Sequence, residues 1–297
     1  MKTYLTGLKS TADGGAQRKD HAIGVMLVVI AAITYSSAGL FTKGVAAGSW
    51  EVIFWRGVFA AGFTTVWTYW LGAMRRNFIG IGQSGWAVAI IGALGSAAFI
   101  PAFKLTSIAN VSLIYAVAPL FASLLAWWFI AERLSARTAL GCLGALFGVG
   151  VIVSGSIRDI SLYGDLLAVG MTVAMASIMV IYRARPQTPA AGPAALQSIL
   201  LLPVALMLGS PFAIPWGEIA VLAAFGLLFA IASVTLAEGA KRIPSGQTAL
   251  LSALETPLAP TLAFVLLAEI PNGATLVGGA IVAVAVLSAI RDRPSTD

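Results

Sequence analysis

From Ala22 onward the chain is a succession of ten apolar stretches, about 22–47, 49–71, 84–103, 107–130, 136–155, 161–184, 190–209, 216–240, 246–268 and 272–290. A membrane-spanning helix takes about 20 apolar residues, so each stretch is long enough for one span. The separators carry breakers or charges: Gly48-Ser49, Arg75-Arg76, Glu132-Arg133, Arg158-Asp159, Arg183 to Pro193, Ser210-Pro211, Lys241 to Pro244 and Pro271-Asn272. Residues 1–21 are polar, with Lys2, Lys9, Arg18 and Lys19 but no continuous apolar core beside them, which fits a tail rather than a cleaved signal peptide. Residues 291–297 form a second short tail. The expected fold is an all-α integral membrane protein with ten transmembrane helices.

Composition agrees with that pattern. Apolar residues make up 59% of the 297 and charged residues only 10%, against roughly 25% in an ordinary soluble domain. Ten spans also leave no room for a separate soluble catalytic domain. The net charge of +6 would suggest nucleic acid only if the basic residues were clustered, and they are not. With a cytoplasmic N-terminus, that side of the membrane receives Lys2, Lys9, Arg18, Lys19, Arg75, Arg76, Arg133, Arg137, Arg183, Arg185, Lys241, Arg242, Arg291 and Arg293, fourteen of the eighteen basic residues. The other face holds Lys43, Lys104 and Arg158. A bias kept in every loop supports ten spans with both termini inside, and a nucleic-acid partner is not expected. The one cysteine, Cys142, excludes an internal disulfide and multi-cysteine metal sites. The one histidine, His21, excludes paired-histidine chemistry. No metal or cofactor is expected.

The two halves repeat each other. Laying Lys104 to Val153 over Arg242 to Ala289 with one gap puts Ser107 on Ser245, Pro119-Leu120 on Pro257-Leu258, Glu132 on Glu269, Thr138 on Thr275 and Gly141 on Gly278. In the first spans Gly24 falls on Gly164 and Ser37 on Ser177. Residues 22–155 and 161–290 are therefore two repeats of five spans. Five is odd, so the second repeat enters the membrane from the opposite side. Inverted repeats recur in secondary transporters, which hold substrate near the midplane between them. Pro119 and Pro257 lie near mid-bilayer in equivalent spans, where proline removes a backbone hydrogen bond and the freed carbonyl needs a partner or a wet cavity. Both are expected to bend their helices as hinges, with Pro101 a third such point.

The run from Ala102 to Ala126, then Ala131-Glu-Arg-Leu-Ser and Gly141, Gly144, Gly148 and Gly150, resembles the EamA domain of the drug/metabolite transporter superfamily. Its second copy runs from Ala240 to Ala289, with Glu255-Thr-Pro-Leu-Ala-Pro and Ala268-Glu-Ile-Pro. The resemblance covers residues 22 to 290. It implies two inverted five-helix bundles and solute transport by alternating access through a central cavity, in a bacterial inner membrane. Within the family the chain looks most like the YddG-type exporters of aromatic and other neutral amino acids. Relatives carry sugar nucleotides, sugar phosphates or purines. The small multidrug relatives carry a glutamate in their first span, whereas Ala22 to Val45 holds no carboxylate.

Charges at mid-span cost roughly 2.5–3.5 kcal/mol each and persist when paired, hydrated or useful. Arg56 and Glu255 are the two that qualify. One reading gives Arg56 the carboxylate and Glu255 the ammonium of a zwitterionic amino acid; the plain alternative is a structural ion pair. Glu255 is also a candidate proton site, which leaves proton-coupled and facilitative export both open. The other candidate substrate contacts are Tyr35, Ser36, Ser37 and Ser177, Trp55 beside Arg56, Phe99, Tyr115, and Ser252 three residues before Glu255 on one helical face. Each is set against a simple packing role. An aromatic pocket with few polar groups suits a small molecule with an apolar side chain. A phosphorylated or nucleotide-linked metabolite is the alternative substrate, but it would call for several cavity cations. An intramembrane enzyme lacks a nucleophile motif, and a channel lacks a ring of like polar groups. The expected partners are the substrate and the bilayer, with the chain a monomer or a homodimer.

Overall fold

The computed structural model describes residues 2–106, 111, 114–154, 161–258, 262 and 273–290, with the side chains of 2–16, 43, 152, 153, 275, 289 and 290 outside the description. Its regular elements are helical. They are α1 (Lys2–Tyr35), α2 (Ala38–Lys43), α3 (Ser49–Trp70), α4 (Gly82–Leu105), α5 (Ala118–Ile130), α6 (Ala136–Ser154), α7 (Leu162–Ala184), α8 (Ala191–Leu208), α9 (Trp216–Ala240), α10 (Ser245–Ser252) and α11 (Gly273–Ile290). A π-helical turn, Arg75–Ile79, and a 3₁₀ turn, Pro211–Ala213, join neighbours.

Among the described residues five helical segments are both long and apolar enough to cross a membrane: Gln17–Thr42, Gly82–Leu105, Leu162–Ala184, Ala191–Leu208 and Trp216–Ala240. Ala118–Ile130, Ala136–Val151 and Leu276–Ser288 are shorter apolar helices. The outward faces agree with a lipid surrounding: Trp70, Met207 and Trp216 are 84%, 85% and 84% exposed. In water such surface would oppose solubility at about 25 cal/mol per Å².

Packing follows the repeat. Helix α1 lies on α9 while α7 lies on α4, and α3 lies on α9 while α8 lies on α4. Helices α3 and α8, α6 and α11, and α5 and α10 pair directly with their counterparts, and α5 on α7 mirrors α10 on α1. Each of these contacts between the halves has a partner contact with the roles of the repeats exchanged. Small residues make this closeness possible. A Cβ at Gly148 would sit 2.8 Å from the Gly278 carbonyl oxygen, so α6 and α11 meet backbone to backbone.

Three apolar stretches are interrupted rather than continuous. The first breaks at Ser36 and Ser37, whose hydroxyls donate to the carbonyls of Ile33 and Thr34 at 2.5 and 2.7 Å. These hydroxyls answer the carbonyls freed by the break. The fourth stretch turns at Ala116–Val117 and restarts as α5, with Pro119 in its first turn. The ninth stops after α10, turns at Ala253–Leu254 and is helical again from Glu255, with Pro257 in that first turn. Both prolines therefore sit just inside a restarted helix, where the missing N–H has no cost, instead of bending an unbroken one. Pro101 stays inside α4, close to its C-terminal end. Pro260 and Glu269 lie outside the described residues.

Candidate functional site

The two halves enclose a cavity of about 820 Å³ of empty space, its open mouth included, lined from α1, α2, α3, α4, α7, α8 and α9, by Tyr115 just before the turn into α5 and by Glu255 just after the turn that follows α10. It lies at mid-helix and extends toward the end of the bundle where α4 and α8 begin and α7 and α9 finish. Tyr35, Arg56, Phe99, Tyr115 and Glu255 all line it, so five separated stretches of sequence converge there.

Arg56 projects from the middle of α3 and is only 2% exposed. One Nη donates to the Ser96 hydroxyl of α4. The guanidinium lies over the Phe229 ring at 4.0 Å and near Phe225 at 5.5 Å, a desolvated cation–π contact worth about 2 kcal/mol. Its Nε and other Nη have no hydrogen-bond partner among the described residues. Nε and one Nη, which lie on different edges of the guanidinium, are thus left with unpaired donors in an apolar site. The close seat depends on Gly226, where a Cβ would stand 2.8 Å from the Arg56 carbonyl oxygen.

Glu255 opens the helix that restarts after the 253–254 turn, and the partial positive charge of a helix start favours a carboxylate there. It is partly open to the cavity. Among the described residues it forms no ion pair, with Arg56 or any other cation. Tyr35 lies within electrostatic reach of both charges and hydrogen-bonds Ser233 at 3.0 Å. It also meets Phe229 edge-on at 6.0 Å. Tyr115 feels the charge of Glu255 and interacts with the Ser252 side chain.

The remaining candidates lie off the cavity lining. The Ser36 and Ser37 hydroxyls are spent on the α1 break, and those of Ser177 and Ser252 return to the Val173 and Thr248 carbonyls at 2.8 and 3.0 Å. Ser252 reaches the cavity only through Tyr115. Trp55 points into an aromatic cluster with Phe54, Phe59 and Phe212, and its indole N–H donates to the Pro211 carbonyl at 2.7 Å. Conversely, Ser96, Gln197, Phe229 and Ser233 line the cavity without having been singled out in the sequence. Gln197 was the one with a signal, a carboxamide within an apolar run.

Polar networks tie both ends of the bundle. At the end the cavity approaches, Glu132 accepts from the Ser245 N–H and hydroxyl at 3.3 and 3.2 Å and faces Arg183 at 3.8 Å. Glu238 pairs with Lys241 at 2.6 Å and Arg242 at 2.9 Å, and Arg242 also reaches Asp20 at 3.2 Å. Burial draws the Lys241 ammonium below the ordinary lysine range, and the Glu238 hydrogen bond acts against that. At the other end, Glu218 accepts from the Ala46 and Ala47 N–H groups at 3.2 and 3.0 Å, Glu51 from that of Ser210 at 2.7 Å, and Asp165 from the Thr106 hydroxyl at 3.0 Å. Among the described residues no group of three or more His, Cys, Asp or Glu is arranged to hold a metal ion.

The sequence matches the EamA-like transporter family twice, over residues 22–154 and 162–291. The chain belongs to the EamA-like transporter family. It is thus a multi-pass membrane protein that transports small molecules, built from two copies of one domain. A solved crystal structure with 21% sequence identity superposes on this EamA-like transporter with a TM-score of 0.75, covering 90% of this chain and 96% of the other. That likeness establishes a shared fold. No curated protein matches the sequence.

Proposed function

We propose that this EamA-like transporter exports neutral amino acids, aromatic ones among them, across a bacterial inner membrane by alternating access. The observation that carries the reading is one apolar, aromatic cavity holding two opposite charges that do not pair with each other. Leaving single charges in a membrane interior is unfavourable by roughly 2.5–3.5 kcal/mol each. A zwitterion answers both at once. Its carboxylate takes the free donors of Arg56, its ammonium takes Glu255, and Tyr35 lies within electrostatic reach of both. The ring or aliphatic part occupies the apolar remainder of the cavity. A phosphorylated or nucleotide-linked substrate fits less well, because Arg56 is the one cationic side chain among the described lining residues.

The repeat supplies the motion. Ten spans in two inverted halves, with both termini cytoplasmic, let the exchange of equivalent contacts between halves open one end as the other closes. The interruptions before Pro119 and Pro257 are the places where such a rearrangement bends with least loss. Uptake of a panel of labelled amino acids into proteoliposomes, with and without an imposed pH gradient, tests the reading. Neutral amino acids are expected to cross; transport of a sugar nucleotide with none of the amino acids would overturn the substrate. The gradient arm shows whether a proton shares Glu255 with the ammonium.

A further inference from the structure

Most neutral polar groups on the cavity wall already have protein partners. Ser96 is held by Arg56, Ser233 by Tyr35, Tyr115 by Ser252, and the Tyr182 hydroxyl faces the Pro189 carbonyl at 3.5 Å. Gln197 on α8 is different. It is 8% exposed, lines the cavity, and forms no hydrogen bond with any described residue. Its position depends on Gly92 of α4, where a Cβ would stand 1.9 Å from the Gln197 Oε1 and 3.0 Å from its Cδ. Any larger residue at 92 would push the carboxamide out of this place.

The place is informative. Gly92 precedes Ser96 by one helical turn, about 6 Å, so the Gln197 amide lies one turn from the Arg56 contact. Beyond it, toward the open end, the wall is Val88, Ile178, Tyr182, Ala194, Leu236 and Ala237. This is a mainly apolar compartment with one free amide at its inner edge. In an empty cavity open to solvent, such an amide is free to hydrogen-bond water. A substrate of hydrocarbon alone displaces the water and leaves a buried donor and acceptor bare, whereas one with a hydroxyl or N–H repairs the loss.

Building on the amino-acid reading above, we propose that Gln197 is a specificity-determining residue, and that Gly92 positions it. Its carboxamide hydrogen-bonds the side chain of the substrate. The favoured class is amino acids whose mainly apolar side chain carries one hydrogen-bonding group, ahead of purely hydrocarbon analogues of the same shape.

L-tyrosine and L-phenylalanine differ by one hydroxyl and form the test pair. In proteoliposomes the wild-type protein is expected to favour tyrosine over phenylalanine by about tenfold or more in kcat/KM. Gln197→Leu is expected to bring the ratio near one, and Gly92→Ala to move it the same way by displacing the amide. Gln197→Met replaces the leucine variant if that protein is not monodisperse. A wild-type ratio near one, a ratio unchanged in the leucine or methionine variant, or transport of other amino acids but neither of these two would overturn the role of Gln197 and leave amino-acid export standing. Failure of the wild type to carry any amino acid would instead remove the export reading, and this proposal with it.

Discussion

Arg56 is a single charge that survives inside an apolar bundle. It combines a hydrogen bond to Ser96, two aromatic faces and two idle donors, and the proposed carboxylate contact rests on those idle donors. Arg56→Lys keeps the charge but not the planar fork. It is expected to raise KM for an amino acid about tenfold or more, equivalent to roughly 1.4 kcal/mol, with little change in folding. Binding titrations and melting curves in detergent check both halves of that statement. Part of this was legible in the sequence, because arginine and glutamate within apolar runs are conspicuous. The neutral lining was not. Ser96, Ser233 and Phe229 lie in helices that are apolar all round, since lipid and core make similar demands on a side chain, and no periodicity marks the inward face. Ser36 and Ser37 showed the reverse problem: polarity that reads as binding serves the backbone of a broken helix.

At the element scale, the helices were legible from apolar length and punctuation, while their interruptions were not. Proline placed at mid-span suggests a bend in a continuous helix. The observed turns at 116–117 and 253–254 precede the prolines and start new helices, an arrangement set by tertiary contacts rather than by the prolines alone. Close helix crossings carry a clear expectation. Gly226 lies against Phe59 Cβ at 2.6 Å, the Arg56 carbonyl oxygen at 2.8 Å and the Ala60 nitrogen at 2.9 Å from where a Cβ would stand. Two of these are backbone atoms that cannot rotate away. Gly226→Ala is expected to destabilise the α3–α9 pair by about 1–3 kcal/mol, seen as a lowered Tm. Gly217, with open space around a built Cβ, is the control: Gly217→Ala is expected to leave Tm unchanged or slightly raised.

For the whole molecule, the proposed topology is two inverted halves with both termini on the cytoplasmic side, read from the basic residues and the repeat in the sequence. Cys142 is 1% exposed, so the native chain offers little background for thiol labelling. Single cysteines added at either terminus are expected to react with a membrane-impermeant reagent only after the cytoplasmic face is opened; reaction of one terminus from outside would break the ten-span topology. The Glu132 contacts clasp α5, α7 and α10 at the end the cavity approaches. The Glu132–Arg183 pair is half-buried and long at 3.8 Å, a weak pair that can open in a transport cycle. Glu132→Ala is therefore expected to increase labelling of a cysteine placed at Ala194 from the cytoplasmic side, without abolishing folding.

The central claim is that Arg56 and Glu255 together recognise the two charged ends of an amino acid. Competition in proteoliposomes tests it most directly, using a transported amino acid, its amide lacking the carboxylate charge, and its deaminated acid. Wild-type transport is expected to be inhibited by the amino acid and about tenfold or more weakly by either analogue. Arg56→Ala is expected to abolish the advantage of the amino acid over its amide, and Glu255→Gln its advantage over the deaminated acid. Equal inhibition by all three compounds in the wild-type protein, or both advantages intact in both variants, would contradict the account.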